Sequence, residues 1–99
     1  MQIDIRSIHF KTDKKLDDFI NEKVSKLAQY YDGVLAAEIA LKLANIEGGE
    51  NKIAEIKLAI PGNDLYASKQ SRSFEEATDG AVDALRKQLI RHKEKVRKV

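Results

Sequence analysis

The chain has no cysteine, no tryptophan, one proline, and only three phenylalanines and three tyrosines among its 99 residues. Without cysteine there is no disulfide, no thiolate metal site and no cysteine nucleophile, which agrees with a reducing, cytoplasmic setting. The opening MQIDIRSIHF alternates apolar and polar residues and lacks the apolar core of a signal peptide. No apolar run approaches the roughly 20 residues of a membrane span. The two histidines, His9 and His92, lack metal-ligand spacing, and His92 at the edge of an apolar stripe reads as structural. Gly48-Gly49 precedes no helix, so it is not a phosphate cradle. Asp79 and Asp83, four apart, could serve as a general acid and base. They read instead as surface charges or as partners for lysines from elsewhere in the fold. Nothing assembles a nucleophile, a base and an oxyanion site. The expectation is no enzyme, no cofactor, no metal and no small-molecule substrate.

What is present is one domain's worth of alternating and periodic segments. Ile3 and Ile5 alternate with polar residues in a strand over 2–9, whose phase shifts near Ser7. Thr12 or Asp13 caps a helix with Leu16, Phe19, Ile20, Val24, Leu27 and Tyr31 on one stripe, stopped at Asp32-Gly33 by a left-handed glycine. Leu35, Ala37, Ile39, Leu41 and Leu43 mark one face of a second strand, and EGGEN a hairpin loop. Residues 53–60 form the third strand, Pro61 to Asp64 a turn, and 65–70 a short fourth strand. Ser73 and Glu76 form a capping box for the last helix. Its inner stripe is Phe74, Ala77, Thr78, Ala81, Val82, Leu85, Leu89 and Val96. The order β-α-β-β-β-α, with short turns joining the last three strands, predicts an α+β fold with a meander and both helices on one face of a four-stranded sheet.

The charge is uneven. Residues 1–85 hold 11 basic and 15 acidic groups, whereas residues 86–99, RKQLIRHKEKVRKV, hold seven basic and one acidic. Arg86, Lys87, Arg91, Lys93, Lys95, Arg97 and Lys98 fall on the arc complementary to the apolar stripe. Cations at a helix C-terminus gain from the macrodipole, which accounts for one or two of them. Seven repel one another, and their clustering points to a phosphate-binding surface on RNA, DNA or an anionic membrane. The basic face lacks Trp or Phe to enter lipid, so a membrane is disfavoured. Few aromatics are available for stacking, so contact would be with phosphates and would follow nucleic-acid shape. Lys23 and Lys26 lie outside the stripe of the first helix. By themselves they read as a solvated face, and with the helices side by side they extend the positive surface.

Two stretches carry a resemblance: EKVSKLAQYYDGV at 22–34 and LYASKQSRSFEEATDGAVDALRKQLIRHKEKVRK at 65–98. Their most specific parts are KL-x-QYYD at 26–32, LYAS at 65–68, the D-x-x-x-D-x-L run from Asp79 to Leu85, and QL-x-x-HK-x-K from Gln88 to Lys95. Over nearly the whole chain this resembles the ribosome hibernation promoting factors, also called ribosome-associated inhibitor or sigma-54 modulation proteins. The resemblance implies a fold like that of double-stranded RNA-binding domains and a translation inhibitor. It would occupy the channel of the small ribosomal subunit used by mRNA and by tRNA at the A and P sites. It also implies ribosomal RNA contacts from Lys23, Lys26, Lys87, Arg91, Lys93 and Lys95, to which the basic arc adds Arg86 as an expected contact, and a structural or charge-ordering role for Asp79 and Asp83. The sequence departs from the family pattern at Glu75, Ala84, Arg86 and Ile90, so charge is redistributed along the last helix. Long members carry a second domain that pairs ribosomes, and some short members carry a tail that interferes with pairing. This sequence is expected to carry neither. It is expected to be one ribosome-binding domain over 1–99, with a separate ribosome-dimerising protein as a further partner that the resemblance admits. A general duplex-RNA-binding module, or a protein–protein transcription modulator, are the alternatives.

Overall fold

The computed structural model describes residues 1–97; Lys98, Val99 and the side chain of Arg97 lie outside the described residues. The elements are β1 (Gln2–Ser7), α1 (Lys14–Ser25), a 3₁₀ turn (Lys26–Gln29), β2 (Ala36–Leu43), β3 (Lys52–Ile60), β4 (Asn63–Ser71) and α2 (Phe74–Arg97). The four strands form one sheet in the order β1-β2-β3-β4. The α1 crossover makes β1 parallel to β2, and the two hairpins make the remaining pairs antiparallel. This is the expected α+β architecture.

Period-two alternation gives the sheet one apolar face. Ala37, Ile39 and Leu41 of β2 meet Leu58, Ile56 and Ala54 of β3 in register, and all six are buried. Ile20, Val24 and Leu27 from the α1 segment, and Ala77, Ala81, Leu85 and Leu89 from α2, close the core over that face. Two local signals set the helix starts. The Asp13 carboxylate accepts from the Leu16 N–H at 2.8 Å, and the Ser73 hydroxyl accepts from the Glu76 N–H at 3.1 Å. Only this half of the expected capping box is seen. Pro61-Gly62 is a two-residue connection between paired Ile60 and Asn63, with Gly62 at φ 78, where proline followed by a left-handed glycine makes a type II turn. The turn is therefore tighter, and β4 longer, than the sequence suggested.

Several expectations need correction. The first helix does not run to Tyr31: it tightens into a 3₁₀ turn at Lys26, and Tyr31 packs from the following loop. Gly33 does not have a positive φ; its lack of a side chain matters because a Cβ there would collide with the Tyr31 ring. β1 ends at Ser7, the point of the phase shift, and His9 takes a positive φ of 69 in the turn that follows. Leu35 and Leu43 bracket β2 but are 59% and 50% exposed, because the helices cover only the middle of the strand. Val96 is 52% exposed, since α2 by then has outrun the sheet.

Candidate nucleic-acid interface

α2 packs over β3 and β4, with α1 beside it. Its basic residues do not form a single arc. Lys87, Arg91 and Lys95 follow one another at four-residue steps along one flank, and all three are exposed. Arg86 and Lys93, seven apart, lie on the other flank and are half-buried. The two flanks differ in what surrounds them.

The Arg86 flank faces α1 across a shallow groove of about 210 Å³ lined by Lys23, Lys26, Tyr30, Asp79, Asp83 and Arg86 among others. It therefore brings together three of the expected basic residues and both aspartates. Lys23 Nζ lies 3.6 Å from Asp79 and 5.5 Å from the centre of the Phe19 ring, so this lysine ties α1 to α2. Lys26, in the 3₁₀ turn, pairs with Glu22 of α1 at 3.7 Å. Asp83 accepts from Arg86 Nη2 at 2.8 Å and lies 3.2 Å from Lys87 Nζ. The hydrogen bonds from Arg86 and then Lys87 hold the Asp83 carboxyl below the usual carboxylate range, and Asp83 in turn raises Arg86. The two aspartates thus order the cations around them.

On the other flank, no carboxylate lies within ion-pair distance of Arg91 or Lys95 among the described residues; the same holds for Lys93 across the helix. Lys69 of β4 belongs beside this open flank and was missed in the sequence. It shares strand parity with Leu65 and Ala67, so it projects toward the helix layer, and its stem lies against Gly80, where an added Cβ would stand 3.0 Å from its Cγ. That parity was the available signal. His92 is half-buried and meets Tyr31 edge-to-face with ring centres 5.0 Å apart, a packing role consistent with its place at the stripe edge. Among the described residues no group of three or more His, Asp or Glu could hold a metal ion, and no helix is long and apolar enough to cross a membrane.

Residues 3–97 match the family model described as sigma 54 modulation protein / S30EA ribosomal protein. The chain belongs to this family. Among similar members, the ribosome hibernation promoting factor of Klebsiella oxytoca is 31% identical over 98% of both chains. That of Pseudomonas putida is 27% identical over 96% of this chain and 89% of its own. Among solved structures, the N-terminal domain of Protein Y from Thermus thermophilus has a TM-score of 0.80 at 29% identity, covering 93% of this chain and 99% of that one. A ribosomal subunit interface protein from Coxiella burnetii has a TM-score of 0.82 at 19% identity, covering 95% and 99%, and supports the S30EA fold.

Proposed function

We propose that this S30EA-family chain is a ribosome hibernation factor. It binds the small subunit in the channel for mRNA and for tRNA at the A and P sites, and so inhibits translation on idle ribosomes. Support comes from its relatives, which are named for this role over nearly equal length. The observation that carries the interface is the pair of unlike basic flanks on α2. Lys87, Arg91 and Lys95, with Lys69 beside them, offer exposed cations to ribosomal RNA phosphates. Lys23, Lys26 and Arg86 form a second, carboxylate-ordered border on the α1 side, with Lys93 one step further along the same flank of α2. Contacts of this kind fix position on RNA and need no cofactor and no chemistry.

The test is co-sedimentation of the purified chain with ribosomes on sucrose gradients. Retention on small subunits, weakened by added mRNA and tRNA, is expected. The triple variant Lys87→Glu, Arg91→Glu and Lys95→Glu should keep its fold, because all three side chains are exposed, and should lose retention. Normal retention of the triple variant would refute the interface. Equal affinity for bare duplex RNA would identify a general RNA-binding module instead.

A further inference from the structure

The two edges of the sheet are not alike. β4 is guarded. Gln88 of α2 donates its side-chain N–H to the Tyr66 carbonyl at 3.0 Å. Lys69 adds an inward-facing charge at the same edge. These are devices that keep an edge strand from pairing with another chain.

β1 has no such guard among the described residues. Gln2 N–H donates to Leu35 O at 3.2 Å and Ile8 N–H to Leu41 O at 3.1 Å, so the even-numbered residues face β2. In a parallel pair the alternate residues then direct both backbone groups away from the partner. The N–H and C=O groups of Ile3, Ile5 and Ser7 therefore line the free edge of the sheet.

The residues on that edge are self-complementary. When two β1 strands run antiparallel with Ile5 opposite Ile5, Ile3 faces Ser7 of the other copy, and all outward-directed residues are paired with one another. The same register sets Asp4 opposite Arg6 and Arg6 opposite Asp4. These are non-hydrogen-bonded positions, where Cα atoms approach to about 4.5 Å and side chains meet most closely. Both charges lie on the open face of the sheet, 64% and 76% exposed, and their ion pair within one strand is loose at 4.0 Å. On the opposite face the half-buried Ile3 and Ile5 would cover their counterparts. A shift of one residue to either side would pair outward groups with inward ones, so the backbone pattern and the charges select the same register.

We infer that the β1 edge is an interface between two copies of this chain, joined antiparallel about Ile5 into one continuous eight-stranded sheet. α2 covers β3 and β4, at the far side of the sheet, so the pair keeps both basic helices free at its outer ends.

Charge exchange tests this directly. The Asp4→Arg chain carries two cations on this face and the Arg6→Asp chain two anions, so each alone opposes like charges at both cross-strand positions. An equal mixture restores opposite charges at both. Sedimentation equilibrium of the full chain, from low micromolar to near-millimolar concentration, is expected to show a monomer–dimer equilibrium in the wild type. Each single variant should dimerise about tenfold or more weakly, and the mixture should regain dimer. Amide resonances of Ile3, Ile5 and Ser7 should move with concentration. A wild type that stays monomeric throughout overturns the inference. So does either variant dimerising like the wild type, or a mixture no better than its components.

Discussion

Neutralising Lys87, Arg91 and Lys95 together, each to Gln, isolates the open flank of α2. All three are exposed, and Arg91 and Lys95 have no carboxylate within ion-pair distance among the described residues, so the change should leave the core untouched. If each side chain neutralises one phosphate, each contributes about 0.9 to the slope of log affinity against log salt. Between about 50 and 200 mM salt, one such contact is worth about a 3.5-fold change in affinity; with Lys87 sharing Asp83 at 3.2 Å and so counting as less than a full contact, the three together are worth between about twelvefold and about fortyfold. Binding to small subunits, measured by fluorescence anisotropy across that salt range, should therefore be less salt-sensitive in the triple variant by a factor between these two. Arg86→Gln is the comparison. Arg86 is already held by Asp83 at 2.8 Å, so a phosphate arriving there displaces a carboxylate as well as a counterion, and the slope should fall by less than the about 0.9 of a full contact. An unchanged slope in the triple variant, or an equal loss from Arg86→Gln alone, would refute the division of α2 into an open and an ordered flank.

Two further outcomes follow from the packing and the ion pairs. The Thr78 hydroxyl is fully buried and has no hydrogen-bond partner among the described residues; Thr78→Val keeps the shape and should raise stability by about 1 kcal/mol in denaturant titration, whereas a comparable loss would show that the hydroxyl is bonded in solution. Asp83 titrates below its ordinary value because Arg86 and Lys87 bond the carboxylate; its contribution is therefore full above the ordinary carboxylate range and is lost as pH falls through the depressed folded value. Asp83→Asn should accordingly destabilise at neutral pH and converge with the wild type in acid, and a difference independent of pH would assign the effect to packing.

How far these features were legible in the sequence depended on their range. Strand identity and facing came from two-residue alternation, and Ala37, Ile39, Leu41, Ile56 and Leu58 are buried as that pattern implies. The last helix was legible from Ser73 and the stripe through Leu89 for the same reason: its period is local. The misplacements lie where a third element decides. Leu35 and Leu43 keep the correct parity, yet their exposure is set by how far the helices extend over β2. Gly33 carries the mark of a left-handed cap, but its need arises from the Tyr31 ring. Among the basic residues the seven expected ones all lie on or beside the two helices, while the partnership of Lys23 with Asp79 crosses between them and has no signature in spacing.

The exposure of Val96 and the accumulation of cations have one physical origin. α2 has 24 residues, about 36 Å at 1.5 Å per residue, and its last fully buried side chain among the described residues is Leu89. His92 finds Tyr31, and beyond it the helix leaves the sheet, within a molecule whose long dimension is 49 Å against 24 and 18 Å for the others. A helical end with no surface to pack on gains nothing from an apolar stripe, so residues there are free to be charged on every side. Positive charge is the favourable sign at a C-terminus, by about 0.3–1 kcal/mol per group at most, but the benefit falls on the last turn and is opposed by repulsion between lysines one turn apart. Arg91 and Lys95, one turn apart on one flank, therefore repel each other, and neither they nor Lys93 has a carboxylate within ion-pair distance among the described residues to offset that repulsion. A polyanion that reaches both flanks would offset it, and the projection of α2 past the sheet makes both flanks reachable at once.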